Sequence, residues 1–308
     1  MDLTILANWG PTCALTGQVE LRWTPTCQPT CDVWRSTVDP FYGFVKVTPV
    51  GGVTSPWTEP VGTMTKAFYY VTDPGGSLPS NRVGFVKISC PALTVVPFGL
   101  PFTFWDVVGC VPAHPFSSTF PSDVIGEQLT IGLPATADVV RSQTTWDIAF
   151  RNLAGVWFGP LETSGGMTPG HAFWIYNNQV ATNQEMVLAG EVDVTTPYPS
   201  PITIDPNTFT PLSFRMPQLQ PVSCINLLTC GFRGGLPFTS DRLIDQNSGA
   251  WTWFNTPSST WVGSLTHVIP GHAYWIEERN GFTWSYTYGF SPVPPPPDRP
   301  DDDAKMVR

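Results

Sequence analysis

The string PGHAFWI at residues 169–175 returns as PGHAYWI at 270–276, with one conservative change, Phe173 against Tyr274. A chain that carries it twice contains a duplicated fold, so whatever one copy can form the other must form too. Pro and Gly set a turn, and the aromatic and β-branched residues after them suit a pleated strand. With a period of two, His171, Phe173 and Ile175 share one face while Ala172, Trp174 and Tyr176 share the other. Both faces are largely apolar, so each copy is expected inside a sandwich or closed sheet with layers on both sides. Pro169, Gly170, His171 and Trp174, with Pro270, Gly271, His272 and Trp275, are therefore expected to be structural. Each imidazole is expected to be buried and bonded to its adjacent turn.

The repeat extends upstream. GLPATAD at 132–138 matches GLPFTSD at 235–241, and both continue to Gln143 and Gln246. Trp146 is then matched with Trp251, and WFG at 157–159 with WVG at 261–263. Asp138 and Asp241, placed after Thr136 and Thr239, are suited to capping a short helix, because their side chains accept from free backbone amides. Upstream segments LPF at 100–102 and RMP at 215–217 complete two units.

The class follows from composition. The chain has 34 prolines, 27 glycines and 13 tryptophans beside only 13% charged residues, which points away from long helices and towards an all-β chain. Its 308 residues predict about two or three domains at roughly 100–150 residues each. The first ninety residues break into short strands: VELRW at 19–23, CDVWRS at 31–36, FVKV at 44–47, AFYYVT at 67–72 and SNRVGFVKI at 80–88. Such spacing spells a small β-sandwich. The order Trp23, VWRS, FYYV, SNRVG resembles a fibronectin type III domain of the kind appended to secreted and surface bacterial proteins. That resemblance implies core roles for Trp23 and for Tyr69 or Tyr70, and a spacer or binding module without catalysis. The two repeats that follow resemble the tandem β-rich modules of bacterial extracellular proteins. The expected domains are 1–90, a fibronectin III-like β-sandwich; 91–199 and 200–290, the two β-rich repeats; and 291–308, an exposed Pro/Asp-rich tail.

A net charge of −9 without any Lys/Arg cluster leaves no surface to neutralise a phosphate backbone, so nucleic acid is not an expected partner. No apolar run approaches the roughly 18 residues that a membrane span needs. The seven cysteines lack paired zinc-knuckle spacing. Disulfides are the preferred reading, with Cys224 to Cys230, Cys90 to Cys110 and two of the three N-terminal cysteines as candidates. Free buried thiols and a metal site are the alternatives. Disulfides imply an extracellular or cell-surface protein, although no signal peptide is visible at the N-terminus.

No nucleophile elbow, phosphate loop or paired carboxylate is legible, so no enzyme, metal or cofactor is expected. The tryptophans are the strongest binding candidates, since an indole face stacks on apolar ligand surfaces. The matched ones are expected to build cores, which leaves the unmatched Trp105 and Trp253 as candidate ligand contacts. The preferred function is a non-catalytic structural or interaction protein with protein partners or self-assembly. Polysaccharide binding and a phage virion decoration or fibre role are the alternatives.

Overall fold

The computed structural model describes residues 2–7, 17–24, 30–38, 40, 43–74, 76, 79–100, 120–192, 202–214 and 219–284. Strands dominate it and its helices are single turns, as an all-β chain requires. Trp105, Cys110 and the 291–308 tail lie outside the described residues.

The N-terminal part pairs β1 (Asp2–Ala7), β2 (Gln18–Thr24) and β5 (Trp57–Pro60) in one sheet. The facing sheet takes β3 (Asp32–Ser36), β4 (Val45–Lys46), β6 (Lys66–Thr72) and β7 (Val83–Cys90) in the order β7-β6-β3-β4. Between them Trp23, Tyr69, Val33, Val71 and Phe85 are buried. Each such side chain contributes about 1.5–3 kcal/mol by leaving water. Tyr69 also donates to Glu59 at 2.6 Å, and Arg35 pairs with the same carboxylate. Burial, reinforced by the Glu59 charge, pushes the Tyr69 phenol far above its ordinary range.

The first repeat follows as β8 (Val95–Gly99), α1 (Pro121–Val124), β9 (Val139–Ser142), β10 (Ile148–Arg151), β11 (Trp157–Phe158), α2 (Pro160–Ser164) and β12 (Ala172–Tyr176). Its sheet order is β11-β10-β9-β12-β8. The chain then returns to the N-terminal sheet: β13 (Gln184–Glu191) pairs with β7 along its whole length. The first repeat is thus inserted in the sandwich, and the sheet crosses the boundary expected at residue 90. The period of two explains this. Along β7 and β13, Val83, Phe85, Val187 and Ala189 face the sandwich core, while Val86, Ile88, Met186 and Leu188 face the first repeat and pack on Phe98, Phe173 and Ile175. A sheet apolar on both faces needs a layer on each, and the repeat supplies the second.

The second repeat opens with β14 (Ile202–Ile204), β15 (Thr208–Ser213), β16 (Gln220–Pro221) and α3 (Leu227–Cys230). It continues with β17 (Arg242–Asp245), β18 (Trp251–Asn255), β19 (Thr260–Gly263), β20 (His267–Val268), β21 (Ala273–Glu278) and β22 (Phe282–Trp284). Its order, β15-β21-β17-β18-β19, reproduces the first repeat strand for strand. The edge strands even carry a proline at the same register position: Pro97 lies opposite Trp174 and Pro211 opposite Trp275. A proline there withholds one ladder donor from any further strand. The second core is closed by its own Trp284, Ile225 and Leu227 rather than by the sandwich.

Three expectations are corrected here. Asp138 and Asp241 cap no helix; each is fully buried and ties two loops, Asp138 accepting from the amides of Thr130 and Asn178, and Asp241 from those of Arg233 and Arg279. The bridges proposed for Cys224 with Cys230 and for Cys90 with Cys110 are not formed, because Cys90, Cys224 and Cys230 are thiols. Cys90 fills the core between the sandwich and the first repeat as a small apolar group, and burial pushes its thiol up. Cys31, by contrast, is disulfide-bonded. The tryptophan register also differs from the match of Trp146 to Trp251. The ladder pairs Val140 with Ala149 and Leu243 with Thr252, so Ile148 corresponds to Trp251 and Trp146 corresponds to Gly249.

Candidate functional site

Where the repeats meet, each turn carries the other's edge strand. Gly99 N–H donates to the Gly271 carbonyl at 2.9 Å, and Ser213 N–H donates to the Gly170 carbonyl at 2.8 Å. The side chains of Gln143 and Gln246 lie between, each donating to the other and to the backbone carbonyl of Phe173 or Tyr274. The two units are related by a local two-fold, and glycine is needed on its axis. A Cβ at residue 99 would overlap the Ser213 side chain and stand 2.6 Å from the His272 carbonyl oxygen.

On one side of this joint lies a cleft of about 770 Å3, within the roughly 300–1,000 Å3 of small-molecule sites. Trp146, Trp174, His171 and Gln143 reach it from the first repeat, and Trp275, Phe209, Asp205 and Pro211 from the second. Trp146 and Trp174 stand 5.4 Å apart and tilted by 52°, with the Arg141 guanidinium over the Trp146 ring at 4.5 Å. Opposite them, Phe209 meets Trp275 edge-on at 6.0 Å. Trp146 is 56% exposed. Its backbone holds φ 67°, the left-handed region, where Gly249 holds φ 71° in the other repeat. The same turn is built twice: Ser142 Oγ accepts from the amides of Thr144 and Thr145, and the Asp245 carboxylate accepts from the Asn247 amide and the Ser248 hydroxyl. Only one copy puts a bulky ring on the residue that glycine suits, at a cost of roughly 1–2 kcal/mol.

The two histidines diverge for the same reason. His171 and His272 precede their strands and sit in the turns, so the strand period does not carry them into the core. Asp245 lies within hydrogen-bond distance of His272 Nδ1 at 3.0 Å. Burial works to raise that carboxyl, and hydrogen bonds from His272 and Ser248 outweigh it, holding Asp245 below the usual carboxylate range. The first repeat has Ser142 at this position, and His171 is left half-buried in the cleft wall beside Trp174. Burial lowers its pKa, so the imidazole is neutral near pH 7 and offers both a donor and an acceptor.

The second copy of the motif faces a different cavity, of about 420 Å3, bounded by Pro270, Gly271 and His272 on one side and by Lys66, Val86 and Lys87 of the sandwich on the other. The insertion of the first repeat into the sandwich therefore gives the two copies of the motif different surroundings: His272 lies beside Lys66 and Lys87 of the sandwich, and His171 lines the inter-repeat cleft.

Pro169, Gly170, His171, Trp174 and Trp275 are thus brought together, with Gln143, which the sequence reading assigned no role. Pro270, Gly271 and His272 lie apart from them. Trp253, expected to contact ligand, is only 8% exposed and stacks under Trp251 at 5.0 Å. Trp146 and Trp251, both expected in a core, are exposed, and of the two only Trp146 lines the cleft. Carrying the spacing between Gln143 and Gln246 through the turn without a gap aligns Trp146 with Gly249, a signal that matching Trp to Trp discards.

Ser248 and His272 both bond Asp245 rather than each other, so that trio activates no nucleophile. Among the described residues no group of three His, Cys, Asp or Glu side chains is placed to hold a metal ion, and no helix is long and apolar enough to cross a membrane. No protein-family model matches the chain, and searches of curated proteins and of solved structures find no match.

Proposed function

We propose that this chain is a non-catalytic interaction protein, extracellular or at a cell surface, that holds its ligand in the cleft between its repeats. The observation that carries this reading is the convergence of Trp146, Trp174 and Trp275, from both repeats, on one open cleft. The fibronectin III-like reading of the first ninety residues is supported by a three-stranded sheet, β1-β2-β5, facing a β7-β6-β3-β4 sheet around Trp23 and Tyr69. In this reading the sandwich is a spacer that carries the repeats, and the disulfide at Cys31 suits an oxidising compartment.

The test is fractionation of the native protein from its producing cell, beside a variant with the cleft plugged by Thr168→Trp. Retention on the cell surface or in an assembly, lost in the variant, is the expected outcome. Recovery of both forms as the same isolated monomer would remove the reading.

A further inference from the structure

We propose that the ligand of the inter-repeat cleft is a neutral glycan, an oligosaccharide or a stretch of polysaccharide, stacked on Trp146 and Trp174. This rests on the reading of the cleft as the binding site and adds the chemistry of its occupant. Sugar rings present an apolar C–H face edged by hydroxyls, and a site for them pairs open aromatic faces with short uncharged hydrogen-bonding groups. Both are present. Trp146 and Trp174 form an angled platform on one wall, and Trp275 with Phe209 forms the other. Between the walls come the hydroxyls of Thr144, Thr168, Thr203 and Thr208 and the neutral His171 imidazole.

Charge decides between glycans. The residues lining the cleft include the exposed carboxylate of Asp205 and no lysine or arginine, and the nearby Arg141 guanidinium lies against the Trp146 ring. Uronic acids and sulfated sugars would meet the Asp205 charge, while the Arg141 guanidinium is already seated on the indole. A peptide added as a strand is disfavoured by Pro211, which removes a backbone donor from the edge strand that borders the cleft. The left-handed backbone of Trp146 is the independent sign. The second repeat turns the same corner with glycine, so the strained indole is not needed for the turn.

The test is titration of the intact chain with neutral oligosaccharides (β-gluco, manno, galacto, xylo and N-acetylglucosamine series), followed by tryptophan fluorescence and calorimetry. Uronic acid and sulfated oligosaccharides form a second arm, and an extended peptide library a third. Saturable quenching by a neutral series is expected. It should weaken at least tenfold in Trp146→Gly and His171→Ala, whose folding is verified by circular dichroism, and be unchanged in Trp251→Ala, outside the cleft. Quenching by charged glycans alone, by peptides alone, or surviving Trp146→Gly overturns the proposal. Cleft-dependent retention at a surface without affinity for any neutral glycan overturns it while sparing the function proposed above. Glycan binding at the cleft by a protein found in no surface or assembly does the reverse.

Discussion

The side-chain amides of Gln143 and Gln246 exchange two hydrogen bonds, at 3.0 and 2.8 Å, across the axis that relates the repeats. Each amide nitrogen spends its second proton on a carbonyl of its own repeat, Phe173 at 3.2 Å and Tyr274 at 3.2 Å. The joint is therefore a closed polar unit. Replacing either glutamine by alanine orphans its mate and should cost about 1–3 kcal/mol. The double replacement should cost at least about 1 kcal/mol less than the sum of the singles, because the second removes a group already unpaired. A urea-denaturation double-mutant cycle measures this.

Gly99→Ala should be among the most damaging changes in the chain. The added methyl meets Ser213 and the His272 carbonyl, which are held by the Gly99–Gly271 and Ser213–Gly170 hydrogen bonds of the same joint. Overpacking there should cost about 3 kcal/mol, the upper end for a rigid site. Thermal unfolding with Gly249→Ala as reference, where a Cβ meets nothing within 4 Å but φ is 71°, separates crowding from backbone strain.

Trp146 should show a trade of stability against binding. Trp146→Gly relieves the left-handed backbone and Trp146→Ala does not, so the glycine variant should be more stable than the alanine variant by about 1 kcal/mol. Both lose the Arg141 contact and both should lose ligand quenching. Equal stability of the two variants in chemical denaturation would show that the turn carries no strain.

The second repeat should weaken as pH rises through about 6. Burial pushes the Asp241 carboxyl up to about 6, with the neighbouring Glu278 charge adding to it and the amides of Arg233 and Arg279 opposing. The folded chain then holds a proton that the unfolded chain releases near the ordinary carboxylate value. Stability from this group is full below about pH 4 and is lost as pH rises through about 6, by up to about 3 kcal/mol. The first repeat has Asn177 where the second has Glu278, and its amide donates to the carbonyls of Cys90, Pro91 and Thr182. Glu278→Gln should therefore flatten the pH profile of denaturant midpoints between pH 4.5 and 7.5.

The strand class, the duplication and the turn-then-strand form of PGHA(F/Y)WI are determined by the sequence alone. These rest on local chemistry: the period of two, prolines and glycines at turns, and matching strings. Core roles for Trp23 and for Tyr69 or Tyr70 came from the resemblance to a fibronectin type III domain rather than from local chemistry, and Trp23 and Tyr69 are buried. What only the tertiary structure decided is which face of which repeat stays open. The placement of Gln184–Glu191 beside β7 depends on pairing residues about one hundred apart, and nothing local marks it. That pairing stacks the first repeat on the sandwich, sets His272 beside Lys66 and Lys87 and leaves His171 in the inter-repeat cleft. Trp146 lies open at a turn position that the ladder register aligns with Gly249, while Trp253 is buried under Trp251. Exposure is a property of what packs against a side chain, and those neighbours come from elsewhere in the chain.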